Sequence, residues 1–149
     1  MKNLFDKSTL EEVMVRLSAL QPGAQRQWGK MEVAQMLAHC SVTMEVATGQ
    51  KFPKRLFIGR LLGPIAKPSF LGEKPFSRNS PTDPTFVIRE KREFEREKER
   101  LTQLVHRFGD GGETGCTTHP HSFFGVLTPG EWSRAMYKHL DHHLRQFGA

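Results

Sequence analysis

His139 and His143 stand four residues apart in the stretch Tyr137–Phe147, which reads as the second half of a helix starting near Pro129. At about 100° per residue, Trp132, Met136, His139, His143 and Phe147 fall on one side of it, flanked by Ala135 and Leu140. Two imidazoles one turn apart on the same face can aim at a single point between helices. Burying both costs free energy unless each ring finds a partner. Ordinary protein hydrogen-bonding groups would serve, and so would a metal ion with a third ligand from another helix. His142 lies round toward the flank and is the weaker candidate.

The elements that would position such a site all read as helices. Ser8-Thr9-Leu10-Glu11 is a capping-box pattern, followed by Leu10, Val13, Met14, Leu17 and Leu20 at helical spacing and a stop at Pro22-Gly23. A second helix follows Trp28-Gly29 and ends near Gly49, with Met31, Ala34, Leu37, Ala38 and Val42 on one apolar side. The short connection predicts that these two helices pack antiparallel. His39 sits among the apolar residues of the second, one turn after Gln35 and one turn before Thr43. Taken alone, a histidine there reads as a core residue bonded to a neighbour.

Residues 50–82, rich in proline and glycine, form a long connection with room for a short helix over Lys54–Leu62. Phe52, Phe57, Phe70 and Phe76 are expected to dock it on the bundle. Asp83-Pro84 predicts the start of a third helix running to Phe108, with Val87, Phe94, Leu101 and Phe108 every seven residues. The mixed charges of Arg89–Arg100 predict a salt-bridged, water-facing surface. Gly109-Asp110-Gly111-Gly112-Glu113-Thr114-Gly115 reads as a loop without a phosphate-cradling pattern. Thr128-Pro129-Gly130-Glu131 is a second capping box and opens the fourth helix. His139 and His143 lie about 15–20 Å along that helix from its start, so the loop histidines His119 and His121 are left out of the site. His106 is read as a surface residue.

The 149 residues suit one domain spanning 1–149, with 37% apolar and 26% charged residues. No secretion signal or membrane-spanning run is expected, and two cysteines do not make a disulfide framework. The expectation is a cytoplasmic protein with no membrane partner. The net charge of +6 is concentrated between Lys51 and Arg78, where the only acid is Glu73. A basic stretch can bind nucleic acid, acidic membrane or an anionic substrate, or can be a solvated connection. Without a nucleic-acid motif beside it, nucleic acid is an unfavoured partner.

Apolar stripes on four helices, with no strand alternation, predict an all-α four-helix bundle with a long crossover between helices two and three. Metal sites in bundles are built in the core from facing helices. His39, His139 and His143 would supply three imidazoles and leave an open coordination position. Such a set suits zinc, nickel, copper or iron. Zinc would lower the pKa of a bound water to about 7, or could hold a thiolate. Gln35 and Gln146, each one turn from a ligand, are the expected hydrogen-bond partners of the ligands. On spacing alone this reading and that of a packed pocket of hydrogen-bonded histidines both stand.

The sequence resembles the DinB-like (DinB/YfiT) superfamily, in particular a branch catalogued as a domain of unknown function. The resemblance is carried by Trp28-Gly29-Lys30-Met31 leading to Gln35-Met36-Leu37-Ala38-His39, by Asn79-Ser80-Pro81-Thr82, by Phe124–Trp132, and by His139-Leu140-Asp141-His142-His143-Leu144-Arg145-Gln146. It implies a four-helix bundle with a crossover after helix two, often a homodimer, with a divalent metal (zinc or nickel foremost) on His39, His139 and His143. It also implies a metal-dependent enzyme on a small electrophilic substrate, of thiol-transferase or hydrolase type, using a low-molecular-weight thiol. Leu144-Arg145-Gln146 stands where many relatives read Arg-Gly-Gln, a departure on the substrate side. The alternative is a non-catalytic metal-binding or dimeric interaction module. No residue is assigned as catalytic: Glu32, Glu45 and Asp141 are on the right helices, but none lies clearly inward.

Overall fold

The computed structural model describes every residue except Pro81, so that member of the Asn79–Thr82 stretch lies outside the described residues. Five α-helices follow one another: α1 (Lys7–Ala19), α2 (Val33–Ala47), α3 (Phe57–Leu71), α4 (Phe94–Gly111) and α5 (Pro129–Gln146). Single 3-10 turns lie at Pro84–Phe86 and Gly112–Gly115, and the described residues contain no strand beyond one isolated bridge between His121 and Gly125.

Sequence explains why α2 is the central element. Val33–Ala47 is apolar or small around nearly its whole circumference, and only Gln35, Val42 and Glu45 escape full burial. A helix of that kind needs neighbours on several sides. It packs on α4 and α5, and α1 packs on the same two helices. The expected pairing of the first two helices does not occur, because α1 and α2 share α4 and α5 as neighbours and no Cα of one comes within 8 Å of the other. Leu17, Met36, Leu37, Met44, Leu101, Val105, Phe108, Trp132 and Leu140 fill the space between.

The helix expected from Asp83-Pro84 starts ten residues later than its sequence suggests. Asp83 does cap a turn, accepting from the Thr85 amide, but that turn ends at Phe86. The carbonyls a longer helix would need are taken by α2: His39 bonds Phe86 O, and Gln35 Nε2 donates to Arg89 O and Glu90 O. Helix α4 then begins at a second cap, Glu93, whose carboxylate accepts from the Glu95 and Arg96 amides. Phe94, Leu101 and Phe108 keep their sevenfold spacing inward, whereas Val87 lies outside the helix and is exposed. The charged wall is not wholly water-facing either. Glu97 is buried between Arg100 and Arg92, and Arg100 also reaches Glu45 of α2.

Helix α1 opens two residues earlier than Ser8-Thr9-Leu10-Glu11 predicts, with Asp6 at the cap position. The Thr128–Glu131 capping box of α5 forms as its sequence predicts, each side chain accepting from the other's backbone amide.

The connection after α2 holds a full helix, longer than Lys54–Leu62. Its packing is the reverse of an ordinary amphipathic helix. Gly59 and Gly63 face inward, and a Cβ on Gly59 would sit 2.7 Å from the Phe123 backbone, with Gly63 closer still. Phe52 and Phe57, expected to dock this segment, are largely exposed, Phe52 keeping an edge-on contact with His119, while Phe70 stacks on Phe76 and Phe124. The C-terminal end of α3 is tied to α5, where buried Lys138 donates to Phe70 O and Gly72 O at 2.7 and 2.6 Å.

Candidate metal centre

His39 from the middle of α2 meets His139 and His143 from the last turns of α5. The three ring centroids are 4.7–4.9 Å apart, and one ligand-capable atom of each lies within 4.8 Å of the others. Among the described residues this is the group of His, Cys, Asp and Glu able to hold an ion. The i, i+4 spacing in α5 sets two rings on one face, and the packing of α2 on α5 delivers the third.

Each ring is oriented through its Nδ1. His39 Nδ1 donates to Phe86 O at 2.8 Å. His143 Nδ1 meets Gln146 Oε1 at 2.8 Å, and Gln146 Nε2 donates to Trp28 O at 2.8 Å, which fixes the amide with its oxygen toward the histidine. Thr43 Oγ1 donates its own proton to Cys40 O, so its oxygen is left to accept from His139 Nδ1 at 3.3 Å. With Nδ1 the protonated nitrogen in all three, every Nε2 carries a bare lone pair. His39 Nε2 and His139 Nε2 face each other at 3.0 Å.

Two facing lone pairs repel unless a proton or a cation lies between them. A proton is disfavoured: burial lowers His39, pushes His139 well below its ordinary value and takes His143 down to about 3, with neighbouring rings adding to the effect in all three. A cation suits the set. Zinc with nitrogen ligands at 2.0–2.1 Å in a tetrahedron separates them by about 3.3 Å, close to what is found between His39 and His139. The buried His39/His139/His143 group could therefore bind a metal ion.

Gln146 and Gln35, both expected beside the ligands, lie in different settings. Gln146 touches His143 as described, and Gly29 makes room for it: at φ +79° its missing Cβ would stand 2.6 Å from Gln146 Nε2. Gln35 does not touch His39. Its oxygen accepts from the Glu32 amide in a capping box, and its nitrogen is held by Arg89 and Glu90. Phe86 O and Thr43 escaped the sequence reading as partners. Thr43, one turn after His39, left a signal in its spacing, but no local pattern marks a backbone carbonyl 47 residues from His39.

The remaining histidines stay out of the group. His119 Nε2 bonds Pro53 O, and His121 Nδ1 accepts from the Phe123 and Phe124 amides. His142 packs edge-on against Trp28, its ring 5.0 Å from that of His143. The carboxylates are engaged elsewhere: Asp141 with Arg16, and Glu45 with Arg100 and Lys51. Neither free cysteine is poised as a nucleophile, since burial raises the Cys40 thiol far and the Cys116 thiol to about 11.

Searches of curated proteins and of solved structures gave no match. One family model matches residues 2–149, nearly the whole chain, and its description is a protein of unknown function, DUF1569. The chain with this histidine group belongs to the DUF1569 family.

Proposed function

We propose that the chain is a DinB-like four-helix bundle of α1, α2, α4 and α5, with α3 carried in the crossover, and that it is a cytoplasmic metal-dependent enzyme acting on a small electrophilic substrate. One observation carries the reading. Three imidazoles, buried at His39 and His143 and half-buried at His139, offer converging Nε2 lone pairs while every Nδ1 is committed to a protein acceptor. Zinc or nickel held by His39, His139 and His143 would keep a coordination position for a thiol or water and increase its acidity. The protein's own work is then to hold three rings in one tautomer and to exclude solvent from them. Because both cysteines are held as protonated thiols by burial, a thiol co-substrate would come from solution.

A cavity of about 320 Å³ beside His142 is the candidate place for the substrate. Trp28, Phe76, Arg78, His142 and Arg145 line it, giving aromatic walls and two guanidinium groups. Such a lining suits a small anion. Arg145, with Leu144, is where the final motif departs from its relatives, so substrate choice would differ where the ligand set does not.

The test is elemental analysis of protein purified without chelator or histidine tag, followed by a panel of thiol–electrophile pairs. One zinc or nickel per chain, absent from His139→Ala, together with turnover on one pair supports the reading. A chain that takes up no divalent metal ends it. The second reading, a metal-binding module without chemistry, draws on the engagement of Glu45 and Asp141 in ion pairs away from the rings. Bound metal with no turnover on any pair would favour it.

A further inference from the structure

We propose that α3 is an in-plane anchor that seats the protein on an anionic lipid surface. Helix α3 directs its bulky side chains outward: Phe57 is 76% exposed, Ile65 78%, Leu61 59%, and Ile58 and Leu62 about half. These five fall within one arc, opposite the inward edge of Gly59, Gly63 and Phe70. Exposed apolar residues scattered singly are ordinary, but a contiguous row of five on one helix marks an interaction surface.

Rotation of the helix cannot bury them. Gly59 and Gly63 lie so near the Phe123 backbone that no other residues of α3 could take their place, and Lys138 and Lys67 pin the helix from α5 and toward the Val126 carbonyl. Val126, beside this contact, is itself 71% exposed and extends the apolar face.

The charge around this face selects its occupant. From Lys51 to Gly72 the chain has no acidic residue and five basic ones, Lys51, Lys54, Arg55, Arg60 and Lys67. Arg55 and Lys67 are occupied with carbonyls of the 121–126 loop, and Lys51 with Glu45. Lys54 and Arg60 on α3's flank, and Lys74 just beyond it, form no ion pair among the described residues. A second copy docking through the same face would set one acid-free basic segment against another, since Lys51–Gly72 offers no carboxylate to pair with Arg60 or Lys54. An anionic headgroup layer complements them, and a convex apolar helix enters it without needing a matching groove.

Pro64 and Pro68 favour the same occupant. Both are exposed and remove the amides that would bond the carbonyls of Arg60 and Pro64. A hydrated headgroup region satisfies such carbonyls, whereas a dry protein interface leaves them bare. The expectation of no membrane partner rested on the lack of a spanning segment. No described helix is long and apolar enough to cross a bilayer, but a helix of about 22 Å lying in the surface plane need not cross.

The experiment is co-sedimentation of the full chain with vesicles of phosphatidylcholine alone and of phosphatidylcholine with phosphatidylglycerol, with sedimentation equilibrium in parallel. The expected result is binding to the anionic vesicles, at least tenfold weaker binding to the neutral ones, and loss on raising the salt. Leu61→Ser/Ile65→Ser should weaken anionic binding more than tenfold while keeping the helical circular dichroism of the parent. Arg60→Glu, a change of one exposed residue, should weaken it severalfold in a protein whose packing is untouched. The proposal is overturned by no binding to anionic vesicles at low salt, by equal binding of both variants and parent, or by a dimer that Leu61→Ser/Ile65→Ser dissolves in a protein indifferent to vesicles.

Discussion

His39 Nε2 lies 3.0 Å from His139 Nε2, although the Nδ1 of each ring is already matched to a protein acceptor on its far side. Neither nitrogen of this contact has a proton to give the other. The pair is held together by the packing of α2 on α5, against its own electrostatics, and a divalent cation between the rings would convert that repulsion into two bonds.

Metal should therefore stabilise the fold strongly. At a thousandfold excess over Kd, a ligand of the folded state adds about 4 kcal/mol, which for a chain of this size is a rise in Tm of roughly ten degrees. Metal-stripped protein titrated with zinc or nickel and followed by calorimetry should show it, and His139→Ala should not. An unchanged Tm in the parent would remove the metal from the argument.

Gln146 and Gly29 should matter together. Gln146→Ala frees the His143 ring and is expected to lower metal affinity about 10–100-fold, measured by competition with a chromogenic chelator. Gly29→Ala forces a Cβ into the Gln146 amide at a positive φ, costing about 1–2 kcal/mol in urea unfolding. It should also weaken metal binding in the same direction as Gln146→Ala. If Gly29→Ala lowers stability but leaves affinity at the parent value, the amide is not what orients His143.

The pH dependence has a definite sign. Unfolded histidine titrates near 6.5, while burial holds His39, His139 and His143 lower in the folded chain, His143 at about 3. The metal-free protein should keep its full stability above pH 6.5 and lose it as pH falls toward 3, since the unfolded chain binds protons the folded one refuses. Urea unfolding from neutral pH downward measures this, with His143→Gln flattening the slope. Calorimetry of metal binding at pH 6 in buffers of different ionisation enthalpy should show less than one proton released. Three ordinary histidines would release roughly two.

The contact between half-exposed Arg100, half-buried Glu45 and buried Glu97 is a second polar cluster, apart from the site. Arg100→Met should destabilise by about 1–2 kcal/mol at neutral pH, because it leaves buried Glu97 with only the more distant Arg92, solvent screening of the half-exposed guanidinium keeping the loss below that of a fully buried pair. Burial raises the Glu45 carboxyl, but Lys51 and Arg100 together bring it below the usual 4.5. That stabilisation is fully present above about pH 4.5 and is lost as the solution is acidified further. Chemical denaturation of parent and variant at pH 7 and pH 4 should show the gap between them narrowing.

Which parts were legible in advance follows from the range of the interactions involved. Ser8–Leu20, Met31–Ala47 and Pro129–Gln146 declare themselves as helices through periodicity and caps, which act within four residues. The same spacing put His139 and His143 on one face. The start of α4 was not legible from Asp83-Pro84, because the cap is real and the helix still fails to continue: Gln35 and His39, about fifty residues earlier, take the carbonyls it would use. Nor could the orientation of α3 be read from its apolar residues, since Gly59 and Gly63 yield their side to the backbone of Phe123 in a distant loop.

The sequence by itself determined the helical class, the pair of histidines on α5 and a buried His39 on α2, because side-chain type and a 3.6-residue repeat settle those locally. The tertiary structure decided that the three rings converge, that Phe86 O, Thr43 and Gln146 commit every Nδ1, and that α1 and α2 stand apart with α4 and α5 between them. Those outcomes depend on which helix packs on which, a choice made by the fit of whole surfaces and not by any neighbouring residues in the chain.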